Sequence, residues 1–282
     1  MSVSNAELTA LAATHDIITL GMQADDVRRA RHGAHTTFVR VAEVESMPGQ
    51  PVEIPPAAGE VRITGSPASR QSAVARIQEV CKLAGRVPVS GFSLADLEQL
   101  AVREQLTLRA LLEELRAAGL ELIAEAPFDL LADARRSIEQ VNIAGLALAR
   151  LTVDRLPAAD SSSLLTAVAA LQKDVGVLRA FAPLARRPNP AVPTTGYEDV
   201  KRVALARLSL DVPSIQVDWS LYGPKLAQVA LTVGADDIDS VSAVDDMTEG
   251  RRRAPRAEVV RNIQAAGLQA AERNGRFEII GR

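Results

Sequence analysis

Hydrophobic and polar positions alternate along this chain in two rhythms. Short, strongly apolar or period-two phrases, HTTFVRVA, GEVRITG, GRVPVSG, LELIAEA, LALARLTV, VLRAFAPL, SIQVDWSL and DIDSVSAV, predict strands. Between them, SRQSAVARIQEVCKLAG, SLADLEQLAVREQ with LTLRALLEELRAAG, ADARRSIEQVNIAG, SSSLLTAVAALQKDVG, GYEDVKRVALARLSL and PKLAQVALTVG predict helices. Strands separated by helices through about 210 residues predict an α/β protein, a (β/α) barrel of the TIM type, complete or partial. A doubly wound open sheet is the alternative. No GxGxxG or GxxxxGK[ST] phrase follows a strand, which weakens its nucleotide-binding version.

Capping residues sharpen the boundaries. Ser4 suits the start of ELTALAATH, and DDVRRARHG runs from acids to arginines and stops at Gly33, as helix dipole and C-cap preferences favour. Ser161 to Ser163 suit a helix start, Gly119, Gly145 and Gly176 suit helix stops, and Pro224 suits a first turn. Within PKLAQVALTVG, Leu226, Val229, Ala230 and Val233 share one helical face, expected to be buried. The Pro-rich phrase from Pro183 to Pro193 follows the sixth strand, where barrels carry functional loops. One domain is expected: an N-terminal helical segment over 1–34, a barrel over 35–250, and a C-terminal helix and strand over 251–282.

Composition narrows the chemistry. With 282 residues, 47% hydrophobic, 24% charged and a formal charge of -3, the chain reads as a soluble cytoplasmic protein. Neither a membrane span nor nucleic-acid binding is expected. Arg251, Arg252 and Arg253 form the densest basic spot and read as a solvated loop. The single cysteine, Cys81, lies in an apolar helical phrase and reads as a structural thiol. His15, His32 and His35 are the only histidines, which leaves no histidine base for the rest of the barrel and too few ligands for a Cys/His zinc site.

From about Leu20 onward, the order of phrases resembles the aminofutalosine synthase family of radical S-adenosylmethionine enzymes, which act in the futalosine route to menaquinone. The most specific phrase is LARLSLDVPSIQVDWSLYGPKLAQVALTVGADDID, from Leu205 to Asp239. DDVRRARHG, RAFAPLARRPNP and VVRNIQAAGLQAAERNGRFEII fit in the same order. The resemblance implies a barrel. It also implies a four-iron cluster held by three cysteines in a C-x3-C-x2-C loop after the first strand, where S-adenosylmethionine is cleaved.

The stretch after Phe38 to Val41 reads AEVESMPGQPVEIPP and contains no cysteine. Neither a four-iron cluster nor S-adenosylmethionine binding is therefore expected. Glu43, Glu45 and Glu53 read as acids of a flexible loop without regular ligand spacing. Where the family has a Gly-Gly pair after the second strand, this chain has Gly65-Ser66. The third strand has no acidic or basic group between Arg86 and Ser90. Asp129 is the remnant of an acid after the fourth strand, and Ala149 and Leu151 take the inward polar places of the fifth, with Arg155 and Leu156 where a glycine and histidine would follow.

The sequence thus favours a non-catalytic homologue acting by binding, its partner a catalytic homologue or another menaquinone-pathway protein. The alternative is a cluster-independent enzyme acting on a nucleoside or aromatic carboxylate related to menaquinone biosynthesis. A radical enzyme completed by a partner's cysteines and a small-molecule sensor or carrier are further readings. Candidate ligand contacts at the barrel mouth are Glu125, Asp129, Asp154, Arg155, Arg179, Asp218 and Trp219, with Arg186 and Arg187 beside them.

Overall fold

In a computed structural model, residues 5–156, 161–190, 194–248, 250 and 254–281 are described. The Arg251–Arg253 run, Ser4 and the end of the Pro-rich phrase lie outside them. Helices α1 (Asn5–Ala13) and α2 (Ile17–His32) precede strand β1 (His35–Glu45). The chain then alternates through β2 (Glu60–Thr64), α3 (Arg70–Ala84), β3 (Val89–Ser93), α4 (Leu94–Arg103), α5 (Leu108–Ala117) and β4 (Leu122–Pro127). A 3-10 turn (Phe128–Leu130), α6 (Ala134–Ile143), β5 (Ala147–Leu148), β6 (Leu151–Val153), α7 (Ser161–Val175) and β7 (Ala180–Ala185) follow. Last come α8 (Gly196–Ser209), β8 (Ser214–Asp218), α9 (Trp219–Leu231), β9 (Asp237–Ser242), α10 (Pro255–Ala265), β10 (Gln269–Arg273) and β11 (Ile279–Gly281).

Neighbouring strands from β1 to β9 pair in parallel, and β9 pairs back onto β1, so the sheet closes into an eight-stranded barrel in which β5 and β6 are two halves of one broken strand. Local sequence chemistry sets the helix ends. Ser69 and Ser72 cap α3 reciprocally, Thr195 and Glu198 do the same for α8, and Asp16 accepts the Thr19 amide at 3.0 Å to start α2. Helix α2 thus begins well before the DDVRRARHG phrase. Pro224 opens the second half of α9 after Gly223, whose φ of 68° breaks the helix. That break sets the phase of the buried stripe: Ala227, Ala230 and Leu231 are buried, whereas Val229 is exposed.

The C-terminal segment is more than a cover packed on the barrel. Strand β10 hydrogen-bonds in parallel to the lower half of β1, from His35 to Val39, whose upper half from Val41 pairs with β2. The tail is therefore held against β1 at the floor, where the Gly275 amide also donates to the Gly59 carbonyl just before β2 at 3.0 Å, and Arg276 ties it to Glu121 below β4 at 2.7 Å. No helix of the described residues is long and apolar enough to cross a membrane.

Candidate functional site

Helices cover the outside of the barrel, so along each strand one set of side chains packs outward into apolar helix faces and the other fills the lumen. In EVRIT, Val61 and Ile63 take the outward core, which turns Glu60 and Arg62 inward. In the fifth strand Ala149 and Leu151 were expected inside, but the alternation runs the other way: Leu151 joins the core and Arg150 reaches the lumen. A shift of one residue exchanges the two faces of a strand.

The lumen is therefore charged from floor to mouth. At the floor Arg273 of β10 grips Asp237 through two bonds of 2.6 and 2.7 Å, and Gln216 donates to the same carboxylate at 2.8 Å. At mid-height Asp239 accepts from Arg62 at 3.0 and 3.1 Å and from Arg150, while Arg62 also donates to Glu60 at 2.8 Å. Ser90 donates to Glu60 at 2.5 Å. At the top Arg186 lies 3.0 Å from Glu125 and 3.2 Å from Asp218, bridging β4 and β8.

Burial opposes charge on Glu60, Arg62, Asp239, Arg186 and Arg273, but the pairing prevails at each. Against burial, Arg150 and Arg62 hold the Asp239 carboxyl far below the usual carboxylate range. Against burial, Arg62 likewise lowers Glu60, and Arg62 itself is pushed well up by Asp239 and Glu60. Arg150 is the exception. Burial and then the neighbouring Arg62 push it below the ordinary arginine value, and its Nε finds no acceptor.

Above this lattice lies a cavity of 290 Å³, bounded by Glu43, Thr64, Ser93, Asp96, Glu125 and the three arginines Arg62, Arg150 and Arg186 among others. Two side chains at the lumen are held at positive φ although neither is glycine: Phe92 at 62°, which also bounds the cavity, and Ser240 at 58°. Such backbone costs of order 1–3 kcal/mol per residue and gathers at ligand sites.

The expected contacts divide sharply. Glu125 and Asp218 meet at the mouth through Arg186, and Asp218 also caps α9 by accepting the Leu221 amide at 3.1 Å. Asp154 and Asp129 belong to the rim: Arg187 forks Asp154 at 2.6 and 2.7 Å, while Asp129 accepts the amides of Asp154 at 2.7 Å and Arg155 at 2.9 Å. Arg155 is exposed beside Asp154. Arg179 is misplaced by the expectation, because it precedes β7 and so lies at the opposite end of the barrel, donating to the Arg276 carbonyl at 3.4 Å. Trp219 begins α9 and packs half-buried against the core. Glu43 and Glu45 belong to β1, which runs longer than expected, rather than to a loop.

The chain after β1 offers no thiolate. The sole cysteine, Cys81, sits on α3, where its thiol donates to the Gly119 carbonyl at 3.4 Å near the barrel floor, and burial pushes its pKa up. The three-thiolate donor set of a four-iron cluster does not fit the residues at this mouth.

No family model matches the sequence. The aminodeoxyfutalosine synthase of Streptomyces coelicolor is 36% identical over 93 residues, 30% of this chain and 24% of that protein. The cyclic dehypoxanthine futalosine synthase of the same organism is 27% identical over 185 residues, 59% of this chain and 46% of that one. A 5-amino-6-(D-ribitylamino)uracil–L-tyrosine 4-hydroxyphenyl transferase of Methanopyrus kandleri is 32% identical over 125 residues, 38% and 34% of the two chains. The chain thus spans less than half the length of each of these relatives. Among solved structures, methylornithine synthase superposes with a TM-score of 0.70 at 13% identity, covering 96% of this chain and 95% of that one. The hydrogenase maturase HydG gives 0.64 at 11% identity, covering 96% and 72%. The chain shares its barrel with these enzymes and is related in sequence to the futalosine synthases.

Proposed function

We propose that this chain is a barrel of the radical S-adenosylmethionine type that works without an iron–sulfur cluster or radical chemistry, and acts by binding. The observation that carries the reading is the donor set: the one thiol is committed to a carbonyl at the floor, remote from the loop that would hold iron. The mouth adds support. Its arginines are each held by carboxylates, an arrangement suited to holding a polar group and one in which no residue is poised as a thiolate or histidine nucleophile. On this reading the bound partner or ligand belongs to menaquinone biosynthesis, either a catalytic homologue or another protein of that route, and the partial likeness to futalosine synthases supports it. A second reading, a cluster-independent enzyme acting on a nucleoside or aromatic carboxylate, draws its support from the 290 Å³ cavity beside Glu125.

The test is anaerobic reconstitution of the purified chain with iron and sulfide, followed by iron determination and visible absorption. The expected outcome is no stoichiometric iron and no cluster band. One cluster's worth of iron per chain would overturn the reading.

A further inference from the structure

We infer that the mouth cavity is a site for a small organic ammonium compound that carries a hydrogen-bond acceptor close to its charged nitrogen. The inference rests on the binding role proposed above and names the chemistry of what is bound.

The charge inventory sets the sign. Three arginines face the cavity, and each is already answered by carboxylates deeper in the lumen or across the mouth: Arg62 by Glu60 and Asp239, Arg150 by Asp239, and Arg186 by Glu125 and Asp218. Four carboxylates thus serve three guanidinium groups. Two more carboxylates, Glu43 and Asp96, bound the same cavity with no basic group within ion-pair distance among the described residues. Asp96 accepts only the Ser66 hydroxyl at 2.5 Å, and the nearby Arg187 is committed to Asp154. The charged groups that bound the cavity balance, three carboxylates to three guanidinium groups, but with Glu60, Asp239 and Asp218 beneath and beside them the carboxylates exceed the guanidinium groups by three, and low-dielectric walls then favour a net cation over an anion.

Arg150 supplies the second, independent requirement. Its side chain is 4% exposed and bounds the cavity, and its Nε has no acceptor. A buried donor left without a partner costs of order 1–3 kcal/mol, so an acceptor atom brought by a ligand is favoured there. On the other side Glu125 Oε2 is buried, lies 3.0 Å from Arg186 and 3.9 Å from Arg150, and has no aligned hydrogen bond from either. An ammonium N–H would align with it. A donor-hungry carboxylate and an acceptor-hungry guanidinium side by side select a ligand with N–H donors and an oxygen acceptor two carbons away. At 290 Å³ the space is near the lower end of ligand pockets, which run from about 300 Å³, so the ligand is small.

Isothermal titration of the full, iron-free chain tests this with ethanolamine, ethylamine and acetate at millimolar concentration. Ethanolamine is expected to bind saturably at one site per chain. Ethylamine, which lacks the acceptor, is expected to bind about tenfold more weakly, and acetate not at all. The Glu43→Gln/Asp96→Asn variant is expected to lose about tenfold or more in ethanolamine affinity with an unchanged melting temperature; if the pair misfolds, Glu43→Gln alone, at an exposed strand position, carries the test. No saturable ethanolamine binding, tighter binding of acetate, equal binding of ethylamine, or unchanged affinity in the variant would each overturn the site. Failure here leaves the iron determination untouched, and stoichiometric iron there would overturn the cluster-free reading without deciding this one.

Discussion

Arg273 of β10 and Asp237 of β9 are joined through two hydrogen bonds of 2.6 and 2.7 Å at the barrel floor. Because β10 is held against β1 and β9 is the strand that closes the barrel onto β1, this pair fastens the C-terminal segment to the closure seam. Arg273 also lies 4.0 Å from the centre of the Phe277 ring, which covers it from below.

Removing one member of a buried pair strands the other charge, which costs about 3–5 kcal/mol. Arg273→Met is therefore expected to lower stability by that amount, or roughly 10 °C in melting temperature for a domain of this size. The double variant Arg273→Met/Asp237→Leu removes both charges and is expected to lose clearly less than the two single losses added together. Urea unfolding of the four proteins measures the coupling, and additive losses would contradict it.

Gly59 makes this close approach possible by a different route. A Cβ there would come within 2.8 Å of the Arg273 carbonyl oxygen, and the Gly59 amide donates to the Arg40 carbonyl at 2.9 Å. Backbone on both sides leaves little room to yield, so Gly59→Ala is expected to cost about 1–3 kcal/mol by overpacking. Faster amide exchange across 269–273 is expected to accompany the loss. Gly33→Ala is the control, since nothing lies within 4 Å of its added Cβ and only its φ of 61° is strained.

The barrel itself was legible because its strands and helices carry distinct periods and its helix ends carry caps. The lumen was not. EVRIT and LARLTV each show an arginine flanked by apolar residues, DIDSV and QAAER carry charged residues in strands as well, and a charged strand position ordinarily reads as solvent-facing. In a β/α barrel that inference reverses, since helices claim the outer face and only the lumen is left for Glu60, Arg62, Arg150, Asp239 and Arg273. The signal was thus present in the sequence once the fold was granted. Arg179 was misassigned because it lies at the start of its strand rather than the end, and a strand's functional end is fixed by its direction.

The mid-height carboxylates make stability pH-dependent with a definite sign. Asp239 and Glu60 have folded-state pKa values below their ordinary ones, so both contribute stability that is complete above the unfolded values, about 4. That stability is lost as pH falls through the folded values. Asp236 works in the opposite sense: burial raises its carboxyl despite Arg207, so protonating it on acidification favours the folded state. Melting temperature is therefore expected to be nearly level from pH 7 to about 4.5 and to fall below about 4. Asp239→Asn, which leaves Arg62 and Arg150 without their shared acceptor, is expected to melt lower at neutral pH by a margin that narrows below about pH 4. A margin that widened there would contradict the sign.

The rim and the mouth should also separate by experiment. Arg187 is 55% exposed although its partner Asp154 is buried, so water takes over when the pair is broken, and an ion pair with one exposed member contributes about 1 kcal/mol or less. Asp154→Asn is thus expected to change stability by under that amount, which chemical denaturation can resolve. Glu125 differs because it is the carboxylate through which Arg186 is held to β4, next to a second buried guanidinium. Glu125→Gln leaves Arg150 and Arg186 facing each other with one carboxylate fewer between them, and a loss of about 1–3 kcal/mol is expected. The single tryptophan, Trp219, follows Asp218, the other carboxylate that holds Arg186. A shift in its emission is expected for Glu125→Gln and not for Asp154→Asn. Equal spectra and equal stabilities in the two variants would place Glu125 with the rim rather than with the lumen lattice.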